Sequence, residues 1–133
     1  MCSICHDVSN PTYSRSSSGS SDEIAWHENL GGGPHARSVI TATYGHPEKL
    51  YPIDVDGDGD PDVVSANAFG DNTISWNRNN GNGSFTEFGI ATASSFTRPV
   101  AVYATDVDSD GDIDVLSASG IDDTIAWYEN DGS

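Results

Sequence analysis

The sequence predicts an all-β protein built from β-propeller blades, each made of four antiparallel strands. Two observations predict this fold: an internal repeat with a period near fifty residues, and strand-like apolar segments separated by Gly-rich turns within each unit. Four short strands in such a unit are the content of one propeller blade. The 133 residues therefore hold about two and a half blades.

The repeat is clearest around the tryptophans Trp26, Trp76 and Trp127, which lie 50 and 51 residues apart. Each follows an isoleucine by two residues and precedes a Gly-rich turn. We expect each indole to pack between neighbouring sheets, as large aromatic side chains usually do. The alternative is that one of them stacks on a ligand.

Apolar segments predict three strands in the last unit, and the preceding unit shows the fourth. Val100–Ala104 and Ile113–Ala118 flank an acidic segment, and Thr124–Tyr128 follows a turn at Gly120–Asp123. Phe85–Ile90 is the fourth strand of the unit before. These segments are rich in β-branched and aromatic residues, which favour strands.

The repeat divides the chain into four parts. Residues 1–21 are expected to be a flexible, degenerate lead-in, because Ser14–Ser21 is Ser-rich. Residues 22–46 form a partial first blade without an acidic segment, residues 47–98 a complete blade, and residues 99–133 a truncated one. We therefore expect a fragment of a larger propeller.

The formal net charge of -16 excludes several kinds of partner. Such a surface repels nucleic acid phosphates and anionic lipid headgroups. The sequence also has no apolar stretch near the roughly 20 residues that a membrane helix needs. Neither nucleic acid binding nor membrane insertion is expected.

The acidic residues are concentrated in two nine-residue segments with the pattern D-x-D-x-D-G-x-x-D. We call residues 54–62 the first loop and residues 106–114 the second loop. Carboxylates this dense repel one another unless a cation lies among them. A solvated acidic face or a disordered acidic tract would show neither the strict alternation nor the strand-like flanks. The aspartates concerned are Asp54, Asp56, Asp58, Asp60, Asp62, Asp106, Asp108, Asp110, Asp112 and Asp114.

This pattern suits Ca²⁺, which takes six to eight oxygen ligands in flexible geometry. Positions 1, 3, 5 and 9 would supply carboxylates, position 7 its main-chain carbonyl, and the glycine at position 6 the sharp turn. Magnesium tolerates such loose geometry poorly, and zinc or copper would require Cys or His. The sequence predicts two Ca²⁺ sites, with side-chain ligands Asp54, Asp56, Asp58 and Asp62 in one and Asp106, Asp108, Asp110 and Asp114 in the other, while Asp60 and Asp112 contribute main-chain oxygen.

An EF-hand loop begins in the same way but requires a bidentate Glu at position 12 and flanking helices. Position 12 is Ser65 in the first loop and Ser117 in the second. Pro52 and Pro61 also oppose helices beside the first loop. The loops therefore favour structural metal sites within a sheet over a helix-opening calcium sensor.

The two loops, each followed by a D-x-T-I-[SA]-W segment at Asp71–Trp76 or Asp122–Trp127, resemble the FG-GAP/VCBS repeat, which is similar to the calcium-binding blades of the integrin alpha chain. The resemblance covers Ile24–Ser133 and departs from the family pattern in the missing first acidic loop and the number of blades. It implies a propeller of about seven blades, calcium between the first two strands of a blade, and an extracellular setting.

The resemblance also implies a function in adhesion or in recognition of a protein or a carbohydrate, with calcium in a structural role. The alternative is an accessory fragment of a larger secreted enzyme or adhesin, which self-associates or requires further blades. We expect no enzymatic activity, because His27, His35 and His46 show no catalytic spacing.

The N-terminal segment Cys2-Ser3-Ile4-Cys5-His6 spells C-x-x-C-H, the attachment motif of a c-type haem. A haem bonded to Cys2 and Cys5, with His6 as axial ligand, would make the chain an electron carrier. Against this alternative, the single methionine, Met1, precedes the motif and no helical pocket is indicated. No secretory signal peptide is visible in Met1–Asn10.

Overall fold

The computed structural model describes residues 12–18, 21–28, 36–42, 46–68, 72–91 and 98–132. Within these ranges every regular element is a strand, which confirms the all-β prediction. No helix in this part of the chain is long and apolar enough to cross a membrane. The strands are β1 Thr12–Ser18, β2 Ser21–Glu28, β3 Ala36–Ala42, β4 Pro47–Ile53, β5 Asp62–Asn67, β6 Thr73–Asn79, β7 Phe85–Ala91, β8 Pro99–Thr105, β9 Asp114–Ser119 and β10 Ile125–Tyr128.

The strands form three antiparallel sheets in which neighbours along the chain are neighbours in space. The first blade has the order β1-β2-β3, the second β4-β5-β6-β7 and the third β10-β9-β8. The second blade has the four strands that the repeat predicts. By sequence correspondence, the described first blade has no counterpart of β4, and the described third blade has no counterpart of β7.

Strand β1 differs from the sequence-based expectation of a flexible lead-in. Thr12–Ser18 pairs along its whole length with β2, from Thr12 opposite His27 to Ser18 opposite Ser21. Serine-rich sequence lacks the apolar alternation that identifies a strand. Pairing with the neighbouring strand supplies the backbone hydrogen bonds that local propensity does not indicate.

The second and third blades repeat one another in their hydrogen bonds. Trp76 lies opposite Val64, and Trp127 lies opposite the corresponding Leu116. The Ala68 amide donates to the His46 carbonyl at 2.8 Å, and the Gly120 amide donates to the Arg98 carbonyl at 3.0 Å. The repeat seen in the sequence is therefore a repeat of register as well.

The blades stack face to face through two apolar clusters. Adjacent residues of a strand point to opposite faces, so Val63 packs with Ile24 and Leu50 towards the first blade, while Val64 packs towards the third. Strand β5 is buried throughout for this reason. The second cluster consists of Val64, Ala66, Ile74, Val102, Ala104 and Val115.

Candidate metal centres in the two acidic loops

The two acidic loops occupy the same place in successive blades. The first loop joins β4 to β5, and the second joins β8 to β9. Position 9 of each loop, Asp62 or Asp114, is already the first residue of the following strand. The sheet therefore fixes both ends of each loop.

The backbone of each loop is folded around its own aspartates. In the first loop, the two carboxylate oxygens of Asp54 accept hydrogen bonds from the amides of Gly57 at 2.8 Å and Gly59 at 2.9 Å. Asp106 accepts the corresponding bonds from Ser109 at 2.7 Å and Gly111 at 3.1 Å. The aspartates at positions 3 and 5 each accept from the amide two residues later, at 2.9–3.4 Å. The two loops thus have the same internal hydrogen bonds.

Two positions in each loop adopt positive φ. Position 6 is glycine in both loops, with φ of 94° at Gly59 and 102° at Gly111. Position 4 is Gly57 in the first loop, with φ of 72°, but Ser109 in the second, with φ of 69°. Because a side chain makes this conformation unfavourable, the second loop carries backbone strain that the first does not.

The loop geometry brings carboxylate oxygens together. One oxygen each from Asp54, Asp56 and Asp58 lie within 4.8 Å of one another, as do one each from Asp106, Asp108 and Asp114. Burial, together with the negative charges of Asp110, Asp114 and Asp106, raises the pKa of Asp108. The first cluster holds positions 1, 3 and 5 without Asp62, and the second holds positions 1, 3 and 9 without Asp110, so each gathers three of the four positions predicted to supply carboxylates. An all-oxygen, multi-carboxylate donor set fits Ca²⁺.

The ninth aspartate has a second role that its position in the motif did not indicate. Asp62 is fully buried and accepts three hydrogen bonds: from the Trp76 indole at 2.8 Å, the Asn79 amide at 2.7 Å and the Val55 amide at 3.2 Å. These donors lie on β6 and in the first loop. Asp62 therefore links the first loop to β6, the tryptophan strand of the second blade.

Asp114 makes the corresponding contacts in the third blade. It accepts from the Val107 amide at 2.9 Å and the Asn130 amide at 2.8 Å, and the nearby Trp127 indole also lowers its pKa. The asparagines form a further link, because the side chains of Asn79 and Asn130 donate to the carbonyls of Pro61 and Ile113 at 3.2 and 3.3 Å. The recurring W-x-x-N pattern was the available sequence clue to this contact.

The pKa values of Asp62 and Asp114 are shifted in opposite directions by their surroundings. Burial raises the pKa of Asp62 despite its three hydrogen bonds. The pKa of Asp114 is instead lowered, because its hydrogen bonds, first among them that from the Asn130 amide, outweigh burial. The difference follows from packing, since among the described residues the second blade is covered on both faces and the third on one.

The side chain of the aspartate at position 7, Asp60 or Asp112, points towards the Gly-rich turn that follows the strand with Trp76 or Trp127. A Cβ atom added to Gly81 would lie 2.6 Å from an oxygen of Asp60, and one added to Gly132 would lie 2.5 Å from an oxygen of Asp112. Both glycines also have positive φ. The Gly-rich turn thus makes room for the loop, a contact that the sequence analysis missed.

One family of known proteins matches the part of the chain that contains both acidic loops. The family model of the FG-GAP-like repeat matches residues 54–117, from the start of the first loop to position 12 of the second. Residues 54–117 are thus similar to an FG-GAP-like repeat. Comparisons with curated proteins and with solved structures gave no significant match. The matched residues contain both acidic loops and the packed faces of the second and third blades.

The one other candidate site, the C-x-x-C-H segment with Cys2, Cys5 and His6, lies outside the described residues. So do His35 and Asp71, the first residue of the D-x-T-I-S-W segment. The haem alternative therefore stays a sequence-based hypothesis.

Proposed function

We propose that this chain is a calcium-binding FG-GAP-like repeat segment that serves as a binding or adhesion scaffold. The observation that carries the proposal is the recurrence, in two successive blades, of one loop geometry that gathers carboxylates of the same motif. A chance acidic surface would not reproduce the same hydrogen bonds at corresponding residues. Calcium is proposed in a structural role, and no enzymatic activity is proposed.

The residues proposed to hold calcium are those at positions 1, 3, 5 and 9, with the carbonyl of position 7. When bound, the ion would supply positive charge among carboxylates that otherwise repel one another. Each loop joins the first two described strands of its blade, so this charge would stabilise their connection. Calcium binding would add about 2.7 kcal/mol per site to the free energy of unfolding at a hundredfold excess over Kd.

The proposed ligand is a protein or a carbohydrate, and the proposed setting is extracellular. This part of the proposal rests on what the resemblance to the FG-GAP-like repeat implies. The ligand would be recognised by surface loops, which vary between proteins that share a scaffold.

A second candidate function is favoured by the exposed apolar side chains of the third blade. Trp127 and Ile125 are 47% and 80% exposed, although Trp76 and Ile74, their counterparts in the second blade, lie on a face that packs against the third blade. This is the pattern expected of an accessory part of a larger secreted enzyme or adhesin that requires further blades.

Calorimetric titration tests the calcium proposal. The expected result is two Ca²⁺ ions per chain, with a rise in Tm that follows the calcium concentration. Asp58→Ala and Asp110→Ala should each remove one site and leave the other. Asp123→Asn, an exposed acidic residue outside the loops, is the control and should keep both sites. Absence of binding up to millimolar calcium would refute the proposal.

Light scattering in saturating calcium separates the two candidates. Self-association or disorder of the calcium-bound chain would favour the accessory fragment. A folded monomer would favour the autonomous scaffold.

A further inference from the structure

The turn between β6 and β7 contains two successive Asn-Gly pairs, Asn80-Gly81 and Asn82-Gly83. An asparagine that precedes glycine is chemically labile, because glycine has no side chain to obstruct attack of its own amide nitrogen on the asparagine side chain. Gly81–Ser84 is exposed to water. Both pairs consist of the same two residues, so their surroundings in the fold determine which of them reacts.

The first pair is held by hydrogen bonds at both of its reacting groups. The Asn80 Nδ2 donates to the hydroxyl oxygens of Ser84 at 3.0 Å and Thr86 at 3.1 Å. The Gly81 amide, the group that would attack the Asn80 side chain, donates to the Asn79 Oδ1 at 3.1 Å. Reaction at Asn80 would require these hydrogen bonds to break first.

The second pair has neither restraint. Among the described residues, the Gly83 amide and the Asn82 Nδ2 have no hydrogen-bond acceptor. A Cβ atom placed on Gly83 would meet no atom within 4 Å, whereas one on Gly81 would meet an oxygen of Asp60 at 2.6 Å. A carboxylate so close to Gly81 disfavours loss of a proton from its amide. The Gly83 nitrogen is therefore the better nucleophile of the two.

The side-chain carbonyl of Asn82 is polarised by two donors from Ser84. Its Oδ1 accepts from the Ser84 amide at 3.0 Å and from the Ser84 hydroxyl at 2.6 Å. That hydroxyl in turn accepts from the Asn80 Nδ2, which leaves its own proton to point towards Asn82. Donors on a carbonyl oxygen stabilise the oxyanion that forms when a nucleophile adds to the carbon. The turn thus activates the Asn82 Cγ for attack.

We propose that Asn82 is a site of spontaneous deamidation in the folded chain. The Gly83 nitrogen loses its proton and attacks the Asn82 Cγ, a C–N bond forms, and the Cγ–Nδ2 bond breaks as Nδ2 takes up a proton and leaves as ammonia. Water then opens the cyclic succinimide at either of its two carbonyl carbons and leaves aspartate or isoaspartate. No oxidant, reductant or metal ion takes part, so the proposal does not depend on calcium binding.

Both products change the turn beside the first loop. Aspartate adds a negative charge to the turn, and isoaspartate lengthens the main chain between β6 and β7 by one methylene group. The side chain of Asp60, from the first loop, points towards the same turn at Gly81. The modification therefore accumulates with the age of the chain next to one of the two acidic loops and not next to the other.

Peptide mapping by mass spectrometry tests the proposal on the whole chain. The chain is incubated at mildly alkaline pH, folded in buffer or unfolded in guanidinium chloride, and aspartate and isoaspartate are separated by chromatography. In the folded chain, Asn82 should deamidate at least about tenfold faster than Asn80, because Asn80 must first break its hydrogen bonds. In the unfolded chain the two rates should be similar. The Asn82 rate should rise with pH, because the nitrogen attacks in its deprotonated form.

Variants of the turn locate the cause of the difference. Ser84→Ala removes the hydroxyl donor and should slow deamidation of Asn82 about tenfold in the folded chain, with no effect in guanidinium chloride. Thr86→Val is the control, because it removes a partner of Asn80 and leaves both donors to Asn82 in place. It should speed deamidation of Asn80 and leave that of Asn82 unchanged.

Three results would each overturn the proposal. The first is an absence of deamidation at Asn82 in the folded chain, and the second is equal rates at Asn80 and Asn82 in that state. The third is a Ser84→Ala variant that deamidates at Asn82 as fast as the unsubstituted chain while both remain folded by circular dichroism.

Discussion

At the residue scale, the ninth aspartate of each loop combines two roles. The motif predicts that it binds a metal ion. In the structure Asp62 also accepts hydrogen bonds from the first loop and from the tryptophan strand β6. Asp58 is exposed and accepts its one observed hydrogen bond from inside the loop, the Asp60 amide at 2.9 Å. Substitutions of Asp62 and Asp58 can therefore distinguish an effect on the stability of the blade from an effect on the proposed binding of calcium.

We expect Asp62→Asn to lower the free energy of unfolding by about 1–3 kcal/mol in excess chelator, the cost of leaving a buried polar group badly paired. The new amide group offers donors where the Trp76 indole and the Asn79 amide already donate. Urea unfolding in EDTA measures this effect without any contribution from calcium. Asp58→Asn is the matched control and should leave stability in EDTA nearly unchanged. Equal losses in the two variants would mean that Asp62 has no special structural role.

The backbone of position 4 leads to a prediction for the second loop. Ser109 adopts φ of 69°, where Gly57 stands in the first loop. Replacing Ser109 by glycine relieves a strain of about 1–2 kcal/mol but adds flexibility to the unfolded chain. We expect Ser109→Gly to stabilise the chain by up to about 1 kcal/mol in thermal unfolding. The reciprocal change Gly57→Ser should destabilise it, and a gain in stability from both changes would contradict the argument.

The spacing of the loop aspartates predicts the cluster of the first loop better than that of the second. Positions 1, 3 and 5 are close in sequence, so a local turn gathers them in the first loop, whereas in the second loop positions 1 and 3 lie with position 9 on β9. The contacts of Asp62 with Trp76 and Asn79 span 14 and 17 residues and depend on the pairing of β5 with β6. Periodicity indicates that strands exist, but it does not determine which side chains meet across them.

At the scale of the element, predicted and observed strands agree where apolar residues alternate. Val100–Ala104 lies within β8, and Phe85–Ile90 lies within β7. Strand β1 could not be predicted in this way, since its sequence TYSRSSS has little apolar content. Its partner β2 determines its conformation. Sequence is thus informative for strands that bury a face and uninformative for strands that form mainly through pairing.

The turn after the tryptophan strand yields a prediction at the same scale. Gly81 and Gly83 both have positive φ, but only at Gly81 would a Cβ atom meet a neighbour, an oxygen of Asp60. We expect Gly83→Ala to cost about 1 kcal/mol in urea unfolding, from the backbone alone, and Gly81→Ala to cost more. In an Asp60→Ala background the excess should vanish, because the neighbour has been removed. An excess that persists would mean that another atom opposes the added methyl group.

At the scale of the whole molecule, each blade turns the face with its isoleucine and tryptophan towards the next blade. Ile24 and Trp26 belong to the cluster between the first and second blades, and Ile74 belongs to the cluster between the second and third. The third blade has the same face, with Ile125 and Trp127 exposed. Identical sequence positions thus lie in different environments because of their place in the array. A repeat pattern alone does not distinguish these environments.

The isoleucines of this face allow that difference to be measured. Ile74 is 0% exposed and Ile125 is 80% exposed, although they hold corresponding positions in their blades. Ile74→Ala should lower the free energy of unfolding by about 2–5 kcal/mol, since it leaves a cavity in the packed cluster. Ile125→Ala should change it by less than about 0.5 kcal/mol, as expected for an exposed side chain. Urea unfolding of the two variants at low protein concentration provides the comparison. A large loss for Ile125→Ala would show that another surface covers this face in solution, and a loss that grew with protein concentration would identify that surface as a second copy of the chain.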